Sequence, residues 1–75
     1  MTRWTLDVDK LADALATVID HRRLSERKAA AEIGVSPSTL TRLKKGQKPD
    51  ADGLISILAW LGAESSKFTK EHSHA

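Results

Sequence analysis

The sequence predicts an all-α domain, a compact bundle of four to five helices, and three observations carry that prediction. Apolar residues recur at spacings of three and four along the 75-residue chain, the period of helices that bury one face. Aromatic residues make up only 4% of the chain, so one usual material of strands is scarce. The helical stretches are also punctuated: a serine or aspartate precedes each of four, and a glycine follows three of them.

The first helix is expected to start at Asp7, whose carboxylate can accept from the free amides of the next turn, with Leu6 and Leu11 placed as a hydrophobic staple. Val8, Leu11, Leu15, Val18 and Ile19 then share one face and should pack inward. His21, Arg22 and Arg23 close it, where positive charge complements the helix dipole; a phosphate contact from Arg22 or Arg23 is the alternative. A second helix is capped by Ser25 and runs from Glu26 to Ile33, with Ala29, Ala30 and Ile33 inward and Gly34 as its stop. Ser36 and Pro37 open a third with a hydroxyl cap and a proline at the first helical position; Leu40 and Leu43 face in, and Gly46 ends it. After Gln47-Lys48-Pro49, Asp50 or Asp52 caps a fourth helix bearing Leu54, Ile57, Leu58 and Leu61, which Gly62 should terminate. A final half-turn around Ser65 to Thr69 would return Phe68 to the core. The domain is thus expected to occupy residues 1–68, followed by a disordered tail, 69–75, which lacks an apolar anchor.

Composition narrows the function classes. A chain of this length holds one domain and buries only about 60% of its unfolded surface, so a partner chain would add needed stability. There is no cysteine, hence no disulfide frame and no thiolate metal site. The amino-terminal MTRWTLDVDK has no seven-residue apolar run, and no segment approaches the roughly 18 apolar residues of a membrane span, so the expectation is a soluble, cytoplasmic, nucleoid-associated protein without membrane contact. Catalysis finds no support either. His72 and His74 are spaced so that one helical face cannot hold both, His21 stands alone, and no glycine-flanked nucleophile or phosphate-cradling loop is present. We expect no enzyme, no cofactor and no metal.

Charge is the more telling property. The net charge is only +2, yet residues 22–48 hold eight basic residues against two acidic ones, while the rest of the chain holds four against eight. A focused basic patch attracts a polyanion, although the same clustering also fits a plain solvated surface. The patch coincides with the segment Ser25 to Gly46, SERKAAAEIGVSPSTLTRLKKG, in which two short helices flank Gly34-Val35-Ser36. That is the layout of a helix-turn-helix, whose second helix projects into the major groove of DNA. Ala30 supplies the small side chain that close helix crossing demands, four residues before Gly34.

The pattern of Ala30, Gly34, Val35, Leu40, Leu43 and Gly46, within EIGVSPSTLTRLKKGQKPDADGL and followed by AWLGA, resembles the lambda-repressor and Cro-like (XRE-type) family over residues 11–68. The resemblance implies a lambda-repressor-like DNA-binding bundle whose second and third helices form the binding unit. Carried to this chain, it places Ser36, Pro37, Ser38, Thr41 and Arg42 at base edges. Arg42 is the strongest candidate, since an arginine can donate two parallel hydrogen bonds to guanine. Lys44, Lys45 and Lys48 are the expected phosphate clamps, with Arg27, Lys28 and Thr39 as further phosphate contacts that position without specifying. Two departures stand out: Pro37 occupies a position that often holds a polar base reader, and Glu26 one where glutamine is common, so its carboxylate would repel phosphate and serve the helix dipole instead. Trp60 lies off the apolar face and is either a rim residue of the core or, with Phe68, a dimer or partner surface; Trp4 could fold onto the same side. The expected partner is double-stranded DNA, bound by a homodimeric repressor. An antitoxin with an added toxin-binding surface and a protein-interaction module that keeps the fold without binding DNA are the alternatives.

Overall fold

The computed structural model describes residues 5–68, the last of them by its backbone alone. The expectations for Trp4, for the Phe68 side chain, for His72 and His74 and for the tail therefore lie outside the described residues. Four helices follow in order: α1 (Val8–His21), α2 (Glu26–Ile33), α3 (Pro37–Lys44) and α4 (Ala51–Phe68). The described residues contain no strand, so the fold class is all-α as the spacing of apolar residues predicts. No helix of the described residues is long and apolar enough to cross a membrane.

Each start is set locally. Asp7 Oδ1 accepts from the backbone N–H of Lys10 at 3.0 Å, and Ser25 Oγ from that of Lys28 at 3.0 Å. Asp50, rather than Asp52, caps α4: its Oδ1 accepts from Gly53 N–H at 2.7 Å. Ser36 departs from the expectation. It occupies the cap position of α3, but its hydroxyl makes no cap bond and pairs with the Ser38 and Thr39 hydroxyls, each at 3.0 Å. Pro37 at the first turn has already fixed the backbone for helix entry, so the start does not depend on that hydroxyl.

The ends are equally local. Gly46 takes φ +87°, its N–H donating to Leu43 O and that of Gln47 to Arg42 O, both at 3.0 Å, which is the paired closure of a Schellman motif. The same closure ends α1 through Arg23 N–H to Asp20 O and Leu24 N–H to Ile19 O. There the left-handed position is held by an arginine at φ +54°. Side chains with a Cβ pay about 1–2 kcal/mol for that conformation. Between α2 and α3, Gly34 reaches φ +95°, and the N–H groups of Gly34 and Val35 both donate to Ala30 O.

The core gathers Leu11, Leu15 and Val18 of α1, Ala29, Ala30 and Ile33 of α2, Leu40 and Leu43 of α3, and Ile57 and Leu61 of α4. Leu6, Val8 and Ile19 pack on it half-buried, so the predicted inner face of α1 and its staple are in place. Because Ala29 and Ala30 are fully buried and end in a methyl group, α3 lies close against α2. Two expectations for α4 are corrected. Gly62 does not end the helix, which continues unbroken to Phe68, so the separate half-turn around Ser65 to Thr69 is instead the last part of α4. A mid-helix glycine costs only about 1 kcal/mol, and burial of Leu61 and Glu64 on either side favours continuation. Leu58 is also turned outward, 49% exposed, because Ile57 and Leu61 take the inner positions.

Candidate nucleic-acid interface

With Leu40 and Leu43 each only 1% exposed, the opposite side of α3 is turned away from the core. Ser36, Pro37, Ser38, Thr41 and Arg42, the predicted base-facing residues, are all exposed there, as are Lys44, Lys45 and Lys48. Arg27 and Lys28 are exposed on the neighbouring turn of α2, and Thr39 is half-buried. Of the eleven residues singled out for phosphate or base contact in α3, its flanks and the start of α2, ten are thus exposed and Thr39 half-buried. Thr39, Arg42, Lys48 and Pro49 also line a shallow notch between α3 and the loop that leads to α4.

Hydrogen bonds organise the outward face. Arg42 folds back along its own helix, its Nε donating to Ser38 O at 3.3 Å, which points the guanidinium toward the amino-terminal turn of α3. No carboxylate among the described residues pairs with Arg42, Lys45, Lys48, Arg27 or Lys28; the ion pairs found there involve Arg22, Lys44 and Lys67. Exposed cations without a protein counter-charge leave their full field for an anion outside.

Glu26 departs from the role expected of it. It stands in the first turn of α2, where a negative charge suits the dipole, but its carboxylate also reaches α3. Oε2 pairs with Lys44 Nζ at 2.7 Å and Oε1 accepts from Thr41 Oγ1 at 2.8 Å. The Lys44 and Thr41 bonds hold the Glu26 carboxyl below its ordinary pKa, so it stays ionised. Lys44 is thus partly neutralised before any partner arrives, and Lys45 and Lys48 are the less encumbered clamps.

Arg22, expected either to complement the dipole or to meet phosphate, stands at the carboxyl cap of α1 and is held by two carboxylates. Its guanidinium grips Glu32 through both terminal nitrogens, at 2.6 and 3.2 Å, and reaches Glu64 at 2.9 Å. Glu64 is buried, and its other oxygen takes Lys67 at 2.7 Å. Trp60 is half-buried against the core and donates its indole N–H to Glu32 at 3.2 Å, so the rim reading fits its placement. Sequence reasoning missed this cluster and the Glu26 contacts alike. Apart from Glu64 and Lys67, three residues apart, the paired residues lie 10 to 42 residues apart, and no local spacing signals such pairs.

A family model described as helix-turn-helix, Psq domain matches residues 7–49, from the cap of α1 to the residue before Asp50. No curated protein and no solved structure matches the chain.

Proposed function

The chain belongs to the helix-turn-helix Psq-domain family, and from that premise we propose that it is a sequence-specific DNA-binding regulator, a binder and not an enzyme, that inserts α3 into the major groove. The observation that carries the reading is the outward face of α3. Ser38, Thr41 and Arg42 stand exposed on it, flanked by Lys45, Lys48, Arg27 and Lys28, none of which has a carboxylate partner among the described residues. Side chains with donors and acceptors read base edges, and the surrounding cations hold the backbone without reading sequence.

The finer reading is a repressor of the lambda-repressor and Cro-like kind, working as a homodimer on a two-fold symmetric operator with half-sites about one helical turn apart. Pairing is supported by Ile55 and Leu58, which α4 exposes at 64% and 49% and which are the large apolar side chains most open to a second copy among the described residues. The bound protein would block access to the DNA it occupies, and its action would follow its concentration.

Selection from random duplexes tests the reading. An enriched motif is expected, with log affinity falling against log salt at a slope of roughly −3.6 per subunit if about four phosphates are neutralised. Arg42→Ala should lose about 1–3 kcal/mol of discrimination at one base pair while leaving the salt slope nearly unchanged. Recovery of no motif would refute the proposal, and sedimentation at increasing concentration checks the dimer.

A further inference from the structure

We propose that Glu26 sets the hydrogen-bonding polarity of Thr41, so that this point of the α3 surface selects a base presenting an amino group, adenine or cytosine, on the strand it faces. The inference rests on the DNA-reading function proposed above and assigns a specificity-determining role within it.

A threonine hydroxyl has one proton and two lone pairs, and left to rotate it can donate to an acceptor or accept from a donor. On its own it is therefore a poor discriminator. Thr41 is not left to rotate. Its Oγ1 lies 2.8 Å from Glu26 Oε1 and 3.2 Å from Pro37 O, and both neighbours can only accept. The single proton is committed to one of them in either case. Among the described residues no donor reaches the same oxygen, so the lone pairs are what the exposed side chain offers outward. In the major groove, adenine N6 and cytosine N4 are the donors, whereas guanine and thymine present acceptors. Two acceptors facing each other repel, and the choice of base follows.

Glu26 is the stronger of the two inner acceptors because it is charged, and Lys44 Nζ at 2.7 Å on its second oxygen keeps it so. It acts on DNA through Thr41 and is a positioning residue. Ser38 provides a contrast on the same face. Its hydroxyl meets the Ser36 hydroxyl at 3.0 Å, which can donate or accept, and accepts from Arg42 Nη2 at 3.5 Å, so no acceptor-only neighbour commits its proton.

Random-duplex selection with the full chain, Glu26→Gln, Thr41→Val, the double variant and Thr41→Ser tests the assignment, with a thermal melt of each to confirm folding. The wild type should favour adenine or cytosine at one position by about threefold to tenfold, the worth of a single hydrogen bond. Thr41→Val should erase that preference and Thr41→Ser keep it. Glu26→Gln should weaken or invert it at that position only, because the Lys44 ammonium draws the amide oxygen and turns the amide N–H toward Thr41. It should also raise affinity for every sequence, as removal of the Glu26 charge leaves the Lys44 charge uncancelled toward phosphate. In the double variant the base preference should match that of Thr41→Val alone, the signature of coupled residues. Should Glu26→Gln fail to fold, Glu26→Ala replaces it, and the preference should then weaken without inverting, since Pro37 O remains as the weaker inner acceptor. A Thr41-dependent position that favours guanine or thymine or that ignores the Glu26 change, or a motif that no Thr41 variant alters, overturns the assignment and leaves the DNA reading standing. A wild type that enriches no motif overturns both.

Discussion

The two ends of α2 carry the same chemical device put to different uses. Glu26 opens the helix and Glu32 nearly closes it, and each is held ionised by a cation on another helix. At the far end Arg22 binds Glu32 and the buried Glu64 together, and Trp60 adds its indole N–H, so α1, α2 and α4 are clasped at one point. At the near end Glu26 meets only exposed residues of α3 and leaves the scaffold alone. The difference lies in what stands behind each pair. A carboxylate buried as Glu64 is depends on its partners, because an uncompensated buried charge is strongly unfavourable, whereas an exposed pair such as Glu26–Lys44 is worth little to stability and is open to other uses.

Four experiments break or sharpen that contrast. The largest effect is expected from Leu43→Ala, which removes a core side chain only 1% exposed and should cost about 2–5 kcal/mol in a chemical-denaturation curve. DNA binding and the clasp should fail together. Next comes Arg22→Met, which strands Glu64 with Lys67 alone: the melting temperature should fall clearly while the DNA motif of the surviving folded protein is unchanged. If the motif changes as well, the two ends are not separate. Acid titration should show a smaller effect. The carboxyls of Glu26, Glu32 and Glu64 all sit below their ordinary values when folded, held chiefly by Lys44, Arg22 and Lys67 respectively. Their contribution to stability is complete above the unfolded carboxylate range, near pH 4.3, and is lost as pH falls through the lower folded values. Melts between pH 7 and 3 should follow that course, and Arg22→Met should flatten it. The smallest expected change is a gain: Arg23→Gly relieves the left-handed backbone at φ +54° and should add up to about 1 kcal/mol, since glycine enters that region without a Cβ clash. A loss there would mean that the Arg23 side chain itself contributes.

Much of the helix pattern was legible because its causes are local. The Asp7 and Ser25 caps act within three residues, Pro37 sets its own φ, and Gly34 and Gly46 occupy positive φ where a stop was expected. The exposed set on α3 was legible for the same reason, since Leu40 and Leu43 declare which side is inward. The end of α1 was placed at His21 to Arg23, but its left-handed closure escaped notice because the residue there is an arginine, which carries no such signal. On α4, a run of apolar residues from Leu54 to Leu61 is wider than the face it buries, so periodicity alone did not decide that Leu58 turns outward.

What the sequence determined by itself, then, is an all-α chain with a basic helix-turn-helix, because caps, stops and apolar spacing operate over three or four residues. Only the tertiary structure decided that α4 runs through Gly62, that Arg22 joins Glu32 to Glu64, and that Glu26 holds Thr41 and Lys44. Those outcomes depend on how helices distant in the chain are rotated and stacked, and a charged side chain finds its partner only after packing has placed it within reach.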